Sequence, residues 1–246
     1  VGITPQGAAS LQAKGFHVTI EDSKTRVIGI EEYRQAGCII AAENSWPGAS
    51  KDTIIFGLKE LPEDDKPLHH RHIMFGHAFK GQHSGRALMH RFKAGGGQLY
   101  DLEYLVDEMG RRVAAFGYWA GYAGASVSTK CWIDQQNGQD CAPIAANKNK
   151  DALLNSLKTD LVALKRPLPK AIVIGALGRV GTGAVDLCGA LGIAVTRWDM
   201  AETDYGGPFP EILNHDIFLN CIMARPGTPV FVSQEDLARP RKLCVI

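Results

Sequence analysis

The stretch from Ala171 to Gly181 reads AIVIGALGRVG, and it decides the fold class of this sequence. Residues 171–174 are a continuous apolar run that predicts a buried strand, and a helical pattern follows the glycines. In such a strand–turn–helix unit the first glycine forms the turn, the second admits a pyrophosphate, and the third lets the helix pack against the strand. Gly175, Gly178 and Gly181 are therefore candidate dinucleotide-binding residues.

An acidic residue after the next strand adds weight to this interpretation. The spacing GxxGxxG differs from the commoner GxGxxG, so the glycines alone leave an ordinary strand-to-helix turn open. The predicted strand 193–198 ends at Trp198 and is followed by Asp199. A carboxylate there can accept hydrogen bonds from the adenosine ribose and would repel a 2′-phosphate. The pattern therefore favours NAD over NADP.

Strands and helices alternate on both sides of this stretch, which predicts an α/β fold. Parallel strands need crossover connections, so we expect parallel sheets flanked by helices. The predicted strands are 16–20, 38–41, 53–56, 72–75, 171–174, 193–198, 216–220 and 243–246. The predicted helices are 5–14, 30–36, 84–93, 112–135, 151–164 and 181–191. The polar stretch 137–150 is expected to be a boundary or a surface loop.

Composition limits the classes of function. The 246 residues are 45% hydrophobic and carry a net charge of +1, which suits one large or two compact domains and gives no footprint for nucleic acid. No apolar run is long enough to cross a membrane. The six cysteines form no CxxC pair, so neither a disulfide framework nor a zinc site is expected. The histidines around 69–72 predict a polar loop leading into a strand, and we expect no metal.

Two ionisable residues follow neighbouring predicted strands in the N-terminal half. Lys59 comes shortly after the strand 53–56, and His77 comes shortly after the strand 72–75. Open α/β sheets bind ligands at the carboxyl ends of their strands, and both residue types serve as acids and bases. From the residues alone, acid–base catalysis and solvated loop tips remain equally open.

Several longer motifs resemble the NAD-dependent, lysine-forming saccharopine dehydrogenases of the alanine dehydrogenase and transhydrogenase superfamily. The similarity runs in order along nearly the whole chain. The motifs are GLKELPE (57–63), HIMFGHAFKGQ (72–82), LYDLE (99–103), GRRVAAFGYWAGYAGA (110–125), GALGRVGTGAVDL (175–187), RWDMAET (197–203), GGPFPEI (206–212) and DIFLNCI (216–222).

The resemblance implies two Rossmann-like domains around a cleft. Residues 1–115 would form the substrate and catalytic domain, and residues 116–246 the NAD-binding domain. The family pattern also implies a fragment lacking both ends, which begins just after a substrate-binding Arg and stops just before a motif with an Asp near the nicotinamide. Both domains would then be incomplete.

The resemblance also implies a reaction in lysine biosynthesis, in which NAD oxidatively and reversibly deaminates saccharopine to lysine and 2-oxoglutarate. Lys59 would be the general base that takes the amine proton and later activates water, and His77 would serve the carbinolamine steps. The implied substrate-binding residues are Glu60, Lys80, Glu103, Arg112 and Phe116. The implied cofactor-binding residues are Arg111, Gly178, Arg179, Asp199, Thr203 and Met223.

Two alternatives remain open because fold and nucleotide motif do not choose the substrate. One is another amino-acid dehydrogenase of the alanine dehydrogenase type, and the other is a catalytically silent NAD-binding module. We expect a small-molecule substrate and no nucleic-acid or membrane partner. We also expect a cytoplasmic protein, with a peroxisomal C-terminal signal left open. The sequence leaves the oligomeric state undetermined.

Overall fold

The computed structural model describes residues 2–59, 61, 62, 64–78 and 83–246; within this range the side chain of His83 is not described. The chain divides into two compact units, Val1–Ala115 and Phe116–Ile246. None of the helices in the described ranges is long and apolar enough to cross a membrane.

The described residues of the first unit form three helices and five strands. They are α1 (Pro5–Gln12), β1 (Thr19–Asp22), α2 (Ile30–Gln35), β2 (Ile39–Ala42), β3 (Ile54–Phe56), β4 (Arg71–Met74), α3 (His83–Gly95) and β5 (Gln98–Asp101), with a 3₁₀ turn at Trp46–Gly48. Strands β1 and β2 form one parallel pair, and β3, β4 and β5 form a separate parallel sheet with β4 in the middle.

The start of the chain folds as its local signals predict. The Thr4 hydroxyl accepts a hydrogen bond from the Gly7 N–H at 3.1 Å, and Pro5 occupies the first helical position, where its missing N–H costs nothing. Gly15 follows the helix with a φ of 90°. Beyond it, β1 begins at Thr19, so the strand prediction 16–20 was wrong in its bounds.

The histidines that precede the sheet are not all in a polar loop. His70 and His72 are 3% and 1% exposed. The His72 ring meets Trp46 and Phe92 edge-on, with ring centroids 5.2 and 5.3 Å apart. The prediction of a polar loop was therefore wrong for His70, which aromatic packing buries, whereas His72 lies in β4, as the strand prediction 72–75 expected. In the described ranges, no three His, Cys, Asp or Glu side chains come together as a potential metal site.

The second unit contains five helices around a three-stranded parallel sheet. The elements are α4 (Gly117–Gln136), α5 (Lys150–Ala163), β6 (Lys170–Ile174), α6 (Arg179–Leu191), β7 (Ala194–Trp198), α7 (Met200–Thr203), β8 (Ile217–Asn220) and α8 (Gln234–Ala238), with a 3₁₀ turn at Pro210–Asn214. The strand order is β7-β6-β8. Residues 171–174 of the central strand are at most 1% exposed, as the apolar run predicted.

Helices α4 and α6 approach each other through glycines. A Cβ atom on Gly121 would lie 1.8 Å from the Val180 carbonyl oxygen, and one on Gly183 would lie 1.9 Å from that of Tyr118. No side chain fits at either place. These glycines permit close packing of the two helices, so α4 supports α6, the helix that follows the glycine-containing turn.

Two predicted elements are clearly shorter in the structure, whereas most others differ by one or two residues at an end. The long helix begins at Gly117 and not at Arg112, because residues 111–113 pair with residues 105–107 across a turn. The Val113 N–H, for example, donates to the Leu105 carbonyl at 2.8 Å. The final strand, predicted at 243–246, is reduced to a single parallel bridge between Val245 and Ile217. Strand β5 and helices α7 and α8 were not predicted.

Candidate active site

The turn after β6 depends on Gly175. Its φ of 83° is a left-handed conformation that favours glycine, and a Cβ atom there would lie 2.7 Å from the Ile222 side chain. The N–H groups of Gly175 and Ala176 both donate to the Trp198 carbonyl, at 2.9 and 3.0 Å. The turn is therefore fixed against the end of β7.

The other two glycines of the motif differ in whether the surrounding structure excludes a side chain. A Cβ atom on Gly181 would lie 2.0 Å from the Gly175 carbonyl oxygen, so close helix packing requires glycine there. A Cβ atom on Gly178 would meet only the Gly175 oxygen, at 3.4 Å. Contacts within the described chain therefore do not require Gly178, and the space beside it remains open.

This open space lies at the amino end of α6. Gly178 is the cap residue of the 13-residue helix, and no side chain caps the helix there. The first N–H groups of a helix and its dipole favour an anion. The backbone around Gly178 therefore suits the pyrophosphate of a dinucleotide, with Arg179 at the first helical position.

Asp199 lies against this loop and not only at the end of β7. One carboxylate oxygen accepts a hydrogen bond from the Leu177 N–H at 2.9 Å, and the other accepts from the Met200 N–H at 3.0 Å. The Asp199 N–H in turn donates to the Glu202 carboxylate at 2.7 Å, which completes a capping box on α7. Sequence reasoning assigned Asp199 a ribose contact and missed this bond to the loop.

Two other predicted cofactor residues, Thr203 and Met223, follow the carboxyl ends of β7 and β8. The Thr203 hydroxyl donates to the Asp199 carbonyl at 2.9 Å, which ties the end of α7 to its start. Met223 follows β8 and is 78% exposed. An exposed methionine beside a nucleotide-type loop offers an apolar surface for a base or ring.

In the first unit, Lys59 and His77 follow neighbouring strands. Pairing between β3 and β4 continues past the strands, because the Phe75 N–H donates to the Leu58 carbonyl at 3.1 Å. Lys59 is the next residue after Leu58 and is exposed, and His77 comes two residues after Phe75. The prediction that neighbouring strands deliver both residues to one sheet edge is confirmed.

Glu103 extends this edge at the third strand. The Leu102 N–H donates to the Met74 carbonyl at 2.9 Å, which aligns the chain just before Glu103 with the end of β4. One Glu103 carboxylate oxygen lies 3.2 Å from Arg112 Nη2 and 3.6 Å from His77 Nδ1. The Glu103 side chain is only 8% exposed. The structure thus brings two predicted residues, His77 and Arg112, together around the buried carboxylate of a third, Glu103.

His77 has an unusual backbone and a buried ring nitrogen without a hydrogen bond to a described residue. Its φ is 50°, which is uncommon for a residue with a side chain. Nδ1 is buried and makes no hydrogen bond to any described residue. Strained residues with unused polar atoms concentrate at functional sites, so this geometry favours a chemical role for His77.

Asp101 is a residue that sequence reasoning missed. Its carboxylate accepts hydrogen bonds from the N–H groups of Gly76, Ala78 and Glu103, at 3.1, 3.3 and 3.0 Å. These bonds hold the segments that carry His77 and Glu103. An acidic residue at the end of β5 was the available signal, but the strand itself was not predicted.

The backbone positions of the other predicted residues complete this description. Arg111 pairs with Asp107 in the turn before α4, with Nε and the carboxylate 2.9 Å apart. Phe116 is the cap residue of α4 and is 51% exposed. Arg112, expected on the long helix, forms a bridge with Val106. Glu60 and Lys80 lie outside the described residues.

Comparison with known proteins decides the family. The family model described as "Alanine dehydrogenase/PNT, N-terminal domain" matches residues 1–123. A Yarrowia lipolytica protein named saccharopine dehydrogenase (NAD(+), L-lysine-forming) is 43% identical over 254 residues, which cover 99% of this chain and 69% of that protein. This chain belongs to the saccharopine dehydrogenase family. The resemblance inferred from the motifs is confirmed.

Further matches support the same family and fold. A saccharopine dehydrogenase from Emericella nidulans, also named as NAD(+)-dependent and L-lysine-forming, is 45% identical over 256 residues, covering 99% of this chain and 68% of that protein. The crystal structure of a transhydrogenase from Sinorhizobium meliloti matches with a TM-score of 0.56 and 17% identity, covering 96% of this chain and 70% of that one. This structural match confirms the predicted α/β fold.

Proposed function

We propose that this chain carries the chemistry of a lysine-forming saccharopine dehydrogenase, the reversible NAD-dependent oxidative deamination of saccharopine to lysine and 2-oxoglutarate. The observation that carries the proposal is the alignment of Lys59, His77 and Glu103 beyond three neighbouring parallel strands. Ligands of open α/β sheets bind at this edge, and these residue types suit proton transfer and carboxylate recognition.

We assign the NAD-binding domain to residues 116–246 and the substrate domain to residues 1–115. Arg111 and Phe116, close to the boundary in sequence, are each assigned to the ligand of the other domain. The open space at Gly178, the amino end of α6 and the Asp199 carboxylate fit a dinucleotide. Bound NAD⁺ would accept a hydride from the substrate carbon that carries the secondary amine. The other proposed cofactor residues are Gly175, Gly181, Arg111, Arg179, Thr203 and Met223.

Lys59 and His77 would move the protons. Lys59, in its neutral form, takes the proton from the secondary amine of the substrate and later activates the water that attacks the imine carbon. His77 then donates and accepts protons as the carbinolamine breaks down and the lysine amine leaves. The water supplies the keto oxygen of 2-oxoglutarate. His77 is suited to this role because an imidazole can both donate and accept protons, and the Glu103 carboxylate, 3.6 Å from Nδ1, orients the ring.

Arg112 would bind a substrate carboxylate. Its guanidinium presents a planar set of donors, and one of its nitrogens lies 3.2 Å from the buried Glu103 carboxylate. That ion pair orients the guanidinium at the site where an anionic ligand would bind. Glu60, Lys80 and Phe116 complete the proposed substrate set.

The test is formation of NADH, followed by absorbance. Saccharopine, lysine with 2-oxoglutarate, and alanine are each assayed with the NAD and NADP couples. The chain covers 69% of the Yarrowia lipolytica relative. The assay is therefore carried out on two polypeptides, this chain and the longest natural polypeptide that contains it. We expect turnover with saccharopine and NAD⁺ and none with alanine.

Each other outcome assigns a different function. Turnover of alanine would place the activity with the alanine dehydrogenases. NAD⁺ binding without turnover of any substrate, in both polypeptides, would leave a nucleotide-binding module. Faster turnover with NADP⁺ would contradict the role proposed for Asp199.

A further inference from the structure

Three free cysteines come together in the second unit, away from the glycine loop. They are Cys131 on α4, Cys141 in the segment between α4 and α5, and Cys244 near the last described residues. Cys141 is close enough to Cys131 to help raise the pKa of the Cys131 thiol, and the Cys141 thiol itself donates to the Ala142 carbonyl at 3.7 Å. The Gln135 amide donates to Cys131 Sγ at 3.7 Å and to the Cys244 carbonyl at 3.2 Å.

The segment that carries Cys141 is anchored on both sides of the cysteine. The Gln139 N–H donates to the Asp134 carbonyl at 2.9 Å, and the Ala142 N–H donates to the Asp134 carboxylate at 3.4 Å. Asp134 is 4% exposed and is itself paired with Lys130 one turn earlier. Cys141 is therefore held over the face of α4 on which Cys131 lies.

The two thiols differ in access to solvent. Cys141 is exposed, whereas Cys131 is half-buried. Burial is the largest cause that raises the pKa of the Cys131 thiol, and the neighbouring Cys141 adds to it. Because the thiolate is the nucleophile and access governs the first attack, Cys141 is suited to react first and Cys131 second.

We propose that Cys141 and Cys131 form a reversible thiol–disulfide site that responds to hydroperoxides. The Cys141 thiolate attacks a peroxide oxygen, an S–O bond forms as the O–O bond breaks, and the leaving hydroxide takes a proton to become water. The Cys131 thiolate then attacks the Cys141 sulfur, forming the S–S bond and releasing the second water. Two thiols lose two electrons, and hydrogen peroxide is reduced to two waters.

Cys244 is a weaker partner in this group. Its thiol donates to the Asp216 carbonyl at 3.4 Å, which holds the sulfur against β8. Burial and Asp216 are the larger causes that raise the pKa of the Cys244 thiol. The charge of Cys131 adds a smaller effect through space, with no direct bond between the two thiols. The Gln135 amide, which contacts both residues, occupies the space beside them.

The sequence allows a sharp test. Trypsin cleavage after Lys130 and Lys148 places Cys131 and Cys141 in one peptide, whereas cleavage after Lys242 places Cys244 in another. The full chain is treated with equimolar hydrogen peroxide, blocked with N-ethylmaleimide, digested without reductant and analysed by mass spectrometry. We expect the peptide 131–148 to be two hydrogen masses lighter and unlabelled, and dithiothreitol to restore both labels.

Variants separate the two steps. In Cys131→Ser the Cys141 sulfenic acid should persist and be trapped by dimedone, and in Cys141→Ser the lighter peptide should disappear. Cys244→Ser is the matched control and should form the lighter peptide as the parent does. A link between peptides containing Cys131 and Cys244, or oxidation of Cys141 to sulfinic acid with Cys131 still labelled, would overturn the proposal.

Discussion

Asp199 holds the glycine loop directly, since its carboxylate accepts the Leu177 N–H at 2.9 Å. Leu177 directly precedes Gly178, beside which the open space lies, so the carboxylate positions the backbone expected to meet the pyrophosphate. The same carboxylate caps α7 through the Met200 N–H. Asp199 thus couples the end of β7 to the loop after β6.

Replacing Asp199 by Ala should weaken NAD⁺ binding about 10- to 100-fold, because a charge-assisted hydrogen bond contributes roughly 1.5–3 kcal/mol. Isothermal titration calorimetry with NAD⁺ measures the change. Asp186→Asn is a suitable control, since Asp186 lies on α6 and binds the Tyr118 hydroxyl instead. Equal affinities of parent and Asp199→Ala would exclude the assigned role.

Alanine at Gly181 should lower the stability of the fold, whereas alanine at Gly178 should lower the affinity for NAD⁺. Gly181→Ala should lower the melting temperature strongly, because the new Cβ would lie 2.0 Å from the Gly175 oxygen. Gly178→Ala should melt near the parent, since its Cβ makes only an ordinary contact, yet it should lose about 10-fold or more in NAD⁺ affinity by filling the open space. A Gly178→Ala variant with parental affinity would argue against a pyrophosphate at that place.

Lys59→Met should reduce kcat with saccharopine by about 100-fold or more, which is the range for loss of a general acid or base. NAD⁺ binding should not change, because Lys59 lies in the first unit and away from the glycine loop in sequence. Steady-state kinetics and NAD⁺ titration measure the two effects. Lys51→Met, another exposed lysine of the same unit, should keep parental kcat, and a fully active Lys59→Met enzyme would refute the base assignment.

His72 should make the first unit sensitive to moderate acid. Burial lowers the pKa of His72 from 6.5 to about 4, and the charges of His70 and Arg91 add to this. The folded-state pKa lies below the unfolded-state value, so the neutral ring contributes fully above pH 6.5, and stability falls as the pH drops from 6.5 towards 4. At about 1.4 kcal/mol per pKa unit, the loss attributable to His72 is about 3 kcal/mol.

His72→Phe should remove this dependence and keep the edge-on contacts with Trp46 and Phe92. Urea unfolding of parent and variant at several pH values compares the slopes. His17→Phe changes an exposed histidine of the same unit and should leave the slope as it is. If His72→Phe loses stability with acid as steeply as the parent, another group causes the loss.

Much of the fold followed from local patterns because local forces decide those elements. The apolar run 171–174 is a central strand, and the Thr4–Pro5 pair starts a helix, as their residue types favour. Family motifs identified Lys59, His77 and Glu103. The sheet edge that unites them follows from the parallel pairing of their strands.

The remainder depended on interactions between segments distant in sequence. Strand β5 has only four residues with polar ends, so its pattern is too short to detect. The start of α4 was misplaced because residues 111–113 pair backwards with 105–107, which helical periodicity does not report. Asp101 binds N–H groups as far as 25 residues away, and no single-segment pattern encodes such a contact.

The continued ladder between Leu58 and Phe75 has a consequence for how the site can vary. Sheet register, and not the length of the intervening chain, sets where Lys59 stands relative to His77. Insertions or deletions within the exposed residues 65–67 can therefore accumulate during divergence without displacing either residue, provided that the buried Leu68 stays in place and the flanking strands keep their pairing. The insertion or deletion of one residue inside β3 or β4 would instead turn every following side chain of that strand to the opposite face.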